Sequence, residues 1–145
     1  MPKFQFRLQQ YLGIKEQIEN QKEIEYAKAV QRLEQEKQLL SEMRERRENL
    51  VQELRRAVEK SISPVEIRRY NNSIERLRHQ ILAQIERVAA AEAFVEQKRQ
   101  ELIQAMKERK ALEIVKDNAK EEFLKEVDLA ERKQVDELVS FKYQK

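Results

Sequence analysis

A chain of 145 residues with one glycine, Gly13, and two prolines, Pro2 and Pro64, has almost nothing to turn on. Compact β and α/β folds need many reversals, and reversals draw on residues that accept positive φ or arrive with φ already fixed. Ala, Glu, Lys, Leu, Arg and Gln dominate instead, and these suit long uninterrupted helices. Charged residues make up 39% of the chain against 40% for the hydrophobic set, so the apolar side chains can form only a narrow seam.

One stretch breaks the helical composition. At Ser61-Ile62-Ser63-Pro64-Val65-Glu66 two serines and a proline replace the helix formers. Ser63 can cap a free amide, Pro64 is preorganised for a first helical position, and Glu66 completes a capping box. Proline also disfavours helical φ/ψ at Ser63. The reading is a first helix over about 3–60, a turn at 61–63 and a second helix over about 64–140. A link this short makes its helices antiparallel neighbours.

The second helix carries the clearer register. Alternating steps of three and four from Ile67 reach Tyr70, Ile74, Leu77, Ile81, Gln84, Val88, Ala91, Val95, Lys98, Leu102, Ala105, Arg109, Leu112, Lys116, Ala119 and Phe123. A mean spacing of 3.5 residues held for about eight heptads is a coiled-coil seam. In the first helix the seam is clear from Tyr26, Ala29 and Leu33 through Leu40, Met43 and Leu50 to Leu54 and Ala57, with Glu36 and Arg47 among them. Phe4, Leu8, Tyr11 and Ile18 fit a similar spacing, but Lys22 and Glu25 interrupt the join, so a register shift is expected near residues 20–26.

The expected fold is therefore all-α: residues 1–145 as one domain, an antiparallel coiled-coil hairpin of two long helices, the second longer and overhanging. Folding back near residue 62 sets Phe4 beside Ala119 or Lys120. The segment beyond, with Phe123, Leu124, Val127, Leu138 and Phe141, has no partner in the hairpin. A single helix of that length is marginal in water, so this end frays, self-associates or docks.

Enzymatic chemistry finds no footing. With one glycine there is no phosphate-cradling loop, and with His79 alone and no cysteine there is no metal-ligand cluster, so no cofactor is expected. The many carboxylates four residues from Lys or Arg are ordinary solvated helix faces. Lys98, Arg109 and Lys116 fall on the seam, where polar residues fix register and reach outward. No apolar stretch approaches the roughly 20 residues that span a bilayer, so membrane insertion is not expected. Absence of cysteine suits a reducing compartment. The start Met1-Pro2-Lys3-Phe4 leads into no apolar signal core, which points to the cytoplasm.

Charges nearly cancel, with 30 basic against 27 acidic residues, and nucleic-acid binding by bulk charge is not expected. The turn region is nonetheless locally basic: Arg55, Arg56, Lys60, Arg68, Arg69, Arg76 and Arg78 face only Glu59, Glu66 and Glu75. A basic tip can grip phosphates or dock on an acidic protein surface.

Three segments resemble the FliJ family of bacterial flagellar export. The opening Phe4-Gln-Phe6-Arg-Leu8-Gln-Gln-Tyr-Leu12-Gly-Ile-Lys-Glu16 is similar to the family's Phe-x-Phe-x-Leu start. Ile67-Arg-Arg-Tyr70-Asn-Asn-Ser-Ile74-Glu-Arg-Leu77 looks like its second-helix start. Glu131-Arg-Lys133-Gln-Val-Asp136-Glu137-Leu138 resembles its Lys-x-x-Asp-Glu-hydrophobic signature. The resemblance implies a non-enzymatic, cytoplasmic stalk, peripheral to the inner face of the cell membrane at the flagellar base. Such a stalk joins a hexameric FliI-like export ATPase to a FlhA-like export gate, and some members bind export chaperones. Carried onto this chain, it implies ATPase contacts at Phe4, Leu8, Lys133, Asp136, Glu137 and Leu138. Gate contacts fall at Tyr70, Ser73, Leu77, Gln80 and Gln84. Two other readings stay open at this point: a related injectisome or rotary-ATPase stalk, and a nucleic-acid-binding helical arm.

Overall fold

The computed structural model describes residues 2–144. It is all-α among the described residues, with α1 over Gln9–Glu59 and the longer α2 over Pro64–Tyr143 packed against each other. Contacts group the chain into two compact units. In a two-helix seam each side chain meets only partners within a turn or two, so contacts do not gather about one centre. Unit 1 combines Met1–Lys22 with Leu102–Lys145, and unit 2 is Glu23–Glu101. Both pair their helices antiparallel. In unit 2, Glu36 meets Gln84 and Glu25 meets Lys98, while in unit 1 Glu19 meets Arg109 and Phe4 meets Phe123.

The reversal lies in unit 2 and follows the expected chemistry. α1 closes with the Lys60 amide donating to the carbonyls of Arg56 and Ala57, and the Ser61 amide donating to that of Val58. Ser61 then takes the left-handed conformation, φ 66°, a position usually filled by glycine. Ser63 caps α2: its Oγ accepts the Glu66 amide at 3.3 Å, and its carbonyl accepts the Ile67 amide at 3.1 Å.

Every seam position read from Ile67 to Phe123 is buried or half-buried. A core of Leu40, Leu77 and Ile81 packs with Met43, Leu50 and Val88 in unit 2. Along α1, however, the seam runs differently from the reading of its first third. Burial recurs every seventh residue at Leu12, Glu19, Tyr26, Leu33 and Leu40, and again at Lys15, Lys22, Ala29, Glu36 and Met43. There is no register shift near residues 20–26. The heptads continue unbroken through polar occupants, and Tyr11 and Ile18 stand outside them, 48% and 37% exposed.

The N-terminal boundary also differs. α1 starts at Gln9, not near residue 3. Before it, Phe4 and Phe6 are half-buried and Gln5 is exposed, a period of two that marks extended chain, and Arg7 and Leu8 form a turn closed by the Gln9 amide donating to the Phe6 carbonyl at 3.1 Å. Extension carries Phe4 further along α2 than helical spacing would, so it meets Phe123, ring centroids 5.5 Å apart, instead of Ala119 or Lys120.

Gly13 sits inside α1, and a Cβ built there meets nothing within 4 Å, whereas Ser61 holds a glycine's conformation without being one. Exchanging the two should therefore help twice. Gly13→Ala and Ser61→Gly are each expected to stabilise the chain by about 1 kcal/mol in urea unfolding followed by circular dichroism.

Candidate functional site

Two regions can meet partners: the flanks of the seam and the end of α2. The seam itself is tied by polar contacts that sequence reading assigned only as residues reaching outward. Gln84, 2% exposed, donates through Nε2 to the Glu36 carbonyl at 3.0 Å and to Glu36 Oε2 at 2.5 Å. Arg109 forks onto Glu19, Nε to Oε2 at 2.5 Å and Nη2 to Oε1 at 3.2 Å, and reaches Glu113 Oε2 through Nη1 at 2.8 Å. Lys98 lies 3.1 Å from Glu101 Oε2 and 3.5 Å from Glu25 Oε2, with Nζ over the Phe94 ring. Lys15 Nζ donates to Glu108 Oε2 at 3.1 Å and lies over the Tyr11 ring. Glu19 and Lys15 lie on the two buried rows of α1, which the apolar near-match of Tyr11 and Ile18 hid, while Glu25, read as an interruption of the seam, is half-buried beside Tyr26.

These contacts shift protonation. Hydrogen bonding from Lys15, and then from Gln104, holds the Glu108 carboxyl below its ordinary value. Glu108 in turn raises Lys15, against the lowering effect of burial. Hydrogen bonding to Glu101 raises Lys98, and bonding to Glu19 raises Arg109. His79 points outward, Nε2 3.5 Å from Glu75 Oε1. Among the described residues no group of three His, Asp or Glu is placed to hold a metal ion.

The second region is the end of α2 in unit 1. From Asp128 to Gln144 every residue is exposed, yet the stretch carries Leu129, Val135, Leu138 and Val139. Leu138 is 67% exposed. Lys133, Asp136 and Glu137 are neighbours at i, i+3 and i+4, and Leu138 turns toward the opposite side of the helix. Phe4 and Leu8 do not join them. Phe4 packs at Phe123, roughly 15 Å along the helix from Lys133. Pro2 instead shares a groove of about 510 Å³ with Phe123, Val127 and Ala130. The N-terminal segment thus braces α2 at the base of its exposed end.

Of the residues assigned to the gate, Tyr70 and Ser73 are half-buried and Gln80 is exposed. Leu77 and Gln84 are buried in the seam, where α1 covers them.

The family model of the flagellar FliJ protein matches residues 4–145. The chain belongs to the FliJ family. The FliJ family is a structural component of type III export. Comparison with curated proteins gave no match. Among solved structures, a putative YscO homolog, CT670, from Chlamydia trachomatis is similar, with TM-score 0.69 and 22% identity over 98% of this chain and 96% of that one. That likeness supports the two-helix FliJ fold. No described helix is long and apolar enough to cross a membrane.

Two outcomes are expected of the polar seam in this FliJ-family chain. Gln84→Leu should cost about 1–2 kcal/mol, because Glu36 loses its donor. Adding Glu36→Leu should recover most of that loss in a double-mutant cycle read by urea unfolding. The pH response follows from Lys15 and Glu108. The depressed Glu108 value stabilises above its ordinary pKa of 4.5, and that contribution is lost as pH falls through the lower folded value. The raised Lys15 value stabilises below 10.5 and is lost as pH rises through the higher folded value. Lys15→Met should move the Glu108 carboxyl titration, followed by carbon NMR, up toward 4.5.

Proposed function

We propose that this FliJ-family chain is the stalk of a flagellar type III export ATPase complex. It binds and promotes a hexameric FliI-like ATPase and couples it to a FlhA-like export gate, with export chaperones as further partners. It works in the cytoplasm, against the inner face of the cell membrane at the flagellar base. The observation that carries the reading is the end of α2, where Leu129, Val135, Leu138 and Val139 stand exposed on a helix that has no α1 alongside. An isolated helix of that length is marginal in water, so a partner that covers its apolar side chains stabilises it.

In this mechanism the stretch from Asp128 onward enters the ATPase ring, with Lys133, Asp136, Glu137 and Leu138 as contacts. Because Lys133, Asp136 and Glu137 occupy one side and Leu138 another, the helix presents different chemistry to different ring subunits. It can therefore bias them unequally. Phe4 and Leu8 act from the base, holding the N-terminal segment on α2 so that the helix enters at a fixed angle. Gate contacts fall on the flank of the seam that carries Tyr70, Ser73 and Gln80.

The test mixes the full-length chain, or a truncation after Val127, with a FliI-type ATPase, and measures ATP hydrolysis and ring assembly. Full-length protein should stimulate hydrolysis, and the truncation should return it to the unstimulated rate while the remaining helices keep their circular dichroism. Equal stimulation by both proteins would remove the ring contact from the α2 end. No stimulation by a folded full-length sample would overturn the stalk assignment.

A further inference from the structure

Unit 2 carries an apolar surface that neither the seam nor the candidate gate residues use. Leu77, Ile81 and Gln84 of α2 are buried toward α1. At 3.6 residues per turn, Ser73 and Gln80 pass along one flank of that buried row, and Arg78, Leu82 and Ile85 along the other. On this second flank Leu82 is 49% exposed and Ile85 39%. Arg44, Arg47 and Glu48 of α1 form the facing wall, and together the two helices line a groove of about 470 Å³.

The charge of the walls is not balanced internally. Arg78 is engaged by Glu75 at 3.2 Å, and Glu48 accepts the Gln52 amide at 3.0 Å. Among the described residues, the Arg44 and Arg47 side chains make no ion pair or hydrogen bond. Two unengaged guanidinium groups one helical turn apart thus stand over exposed Leu82 and Ile85.

We propose that this groove docks an acidic amphipathic helix of another protein. Its carboxylates, spaced i and i+3 or i+4, match Arg44 and Arg47 at the same one-turn interval. Its aliphatic side chain enters between Leu82 and Ile85, as a third helix places a knob into the hole between two others. Nucleic acid fits less well, because the groove has no aromatic ring to stack a base and Glu48 stands in its wall. An anionic membrane is flat where this surface is concave. The site is independent of where the ATPase or gate binds.

The test uses the full-length chain with labelled Ile and Leu methyl groups. The probe is a capped peptide of about 18 residues with a leucine stripe flanked by glutamates, long enough to hold helix in water. Saturable shifts at Leu82 and Ile85 are expected with this peptide and not with its lysine-for-glutamate counterpart. A double variant, Arg44→Glu with Arg47→Glu, should weaken binding at least about tenfold, since like charges then face each other. Both arginines are exposed and unengaged, so helical circular dichroism should not change. Leu82→Asp gives a second, apolar arm and should also abolish the shift at Ile85. Several results would overturn the proposal: no shift, equal shifts with the basic peptide, or undiminished binding by the double variant. Tighter binding of an oligouridine or of phosphatidylserine vesicles through the same methyls would do so too. Shifts that appear on concentrating the protein alone would assign the groove to a second copy instead.

Discussion

Each helix of this chain buries a face only one or two side chains wide, and that narrowness governs the rest. The buried apolar set among the described residues is small: Leu12, Leu33, Leu40, Leu77 and Ile81, with Ala29, Ala91 and Ala105. At about 25 cal/mol per Å² of apolar surface, such a seam attracts two helices without saying which residues must face each other. Sliding one helix by a heptad would cover nearly the same area. Polar residues in the seam oppose that slide. Arg109 needs Glu19, and Gln84 needs Glu36; one heptad away Arg109 would meet Leu12 or Tyr26 and Gln84 would meet Ala29 or Met43, with their hydrogen bonds broken. The polar ties lower the gain from burial and supply the register, as polar core positions do in other coiled coils.

Register also has to be set at the reversal, and there the local chemistry is strong. The left-handed Ser61 and the capped Ser63 leave the chain little freedom over which residues of α1 and α2 first meet. From there the heptads need only continue. They do so through Glu19 and Lys22, positions at which an apolar reading expects a fault.

Sequence legibility followed which residue types carried each feature. The reversal was readable because Ser63, Pro64 and Glu66 have one shared local meaning, and the α2 seam because most of its positions are apolar. The first third of α1 was not, since a heptad occupied by Leu12, Lys15, Glu19 and Lys22 has no apolar periodicity to detect, while Tyr11 and Ile18 imitate one. Residues 4–8 misled for a related reason. Phe4 and Leu8 are four apart, which suits a helix, but Phe6 between them makes the pattern alternate, and alternation was the stronger clue to an extended segment. At the candidate site, exposure of the α2 end followed from unequal helix lengths alone. That Leu77 and Gln84 face inward was implicit in their place on the seam, while the pairing of Gln84 with Glu36 needed the register.

A seam this narrow also decides where recognition can occur. With the large apolar residues of the heptads consumed internally, partners are left the flanks and the uncovered end of α2, two surfaces of different physical character. The flank holding Leu82 and Ile85 is rigid, because both residues ride on a helix already paired to α1, so little ordering accompanies docking there. Beyond Val127 the helix lacks that support, and its order is coupled to whatever covers it. Under the proposed function, binding there is weakened by the ordering it demands, which suits a contact that is made and released. The proposed stalk role can draw on both: a preformed groove for a lasting attachment and a partner-ordered helix end for a changing one.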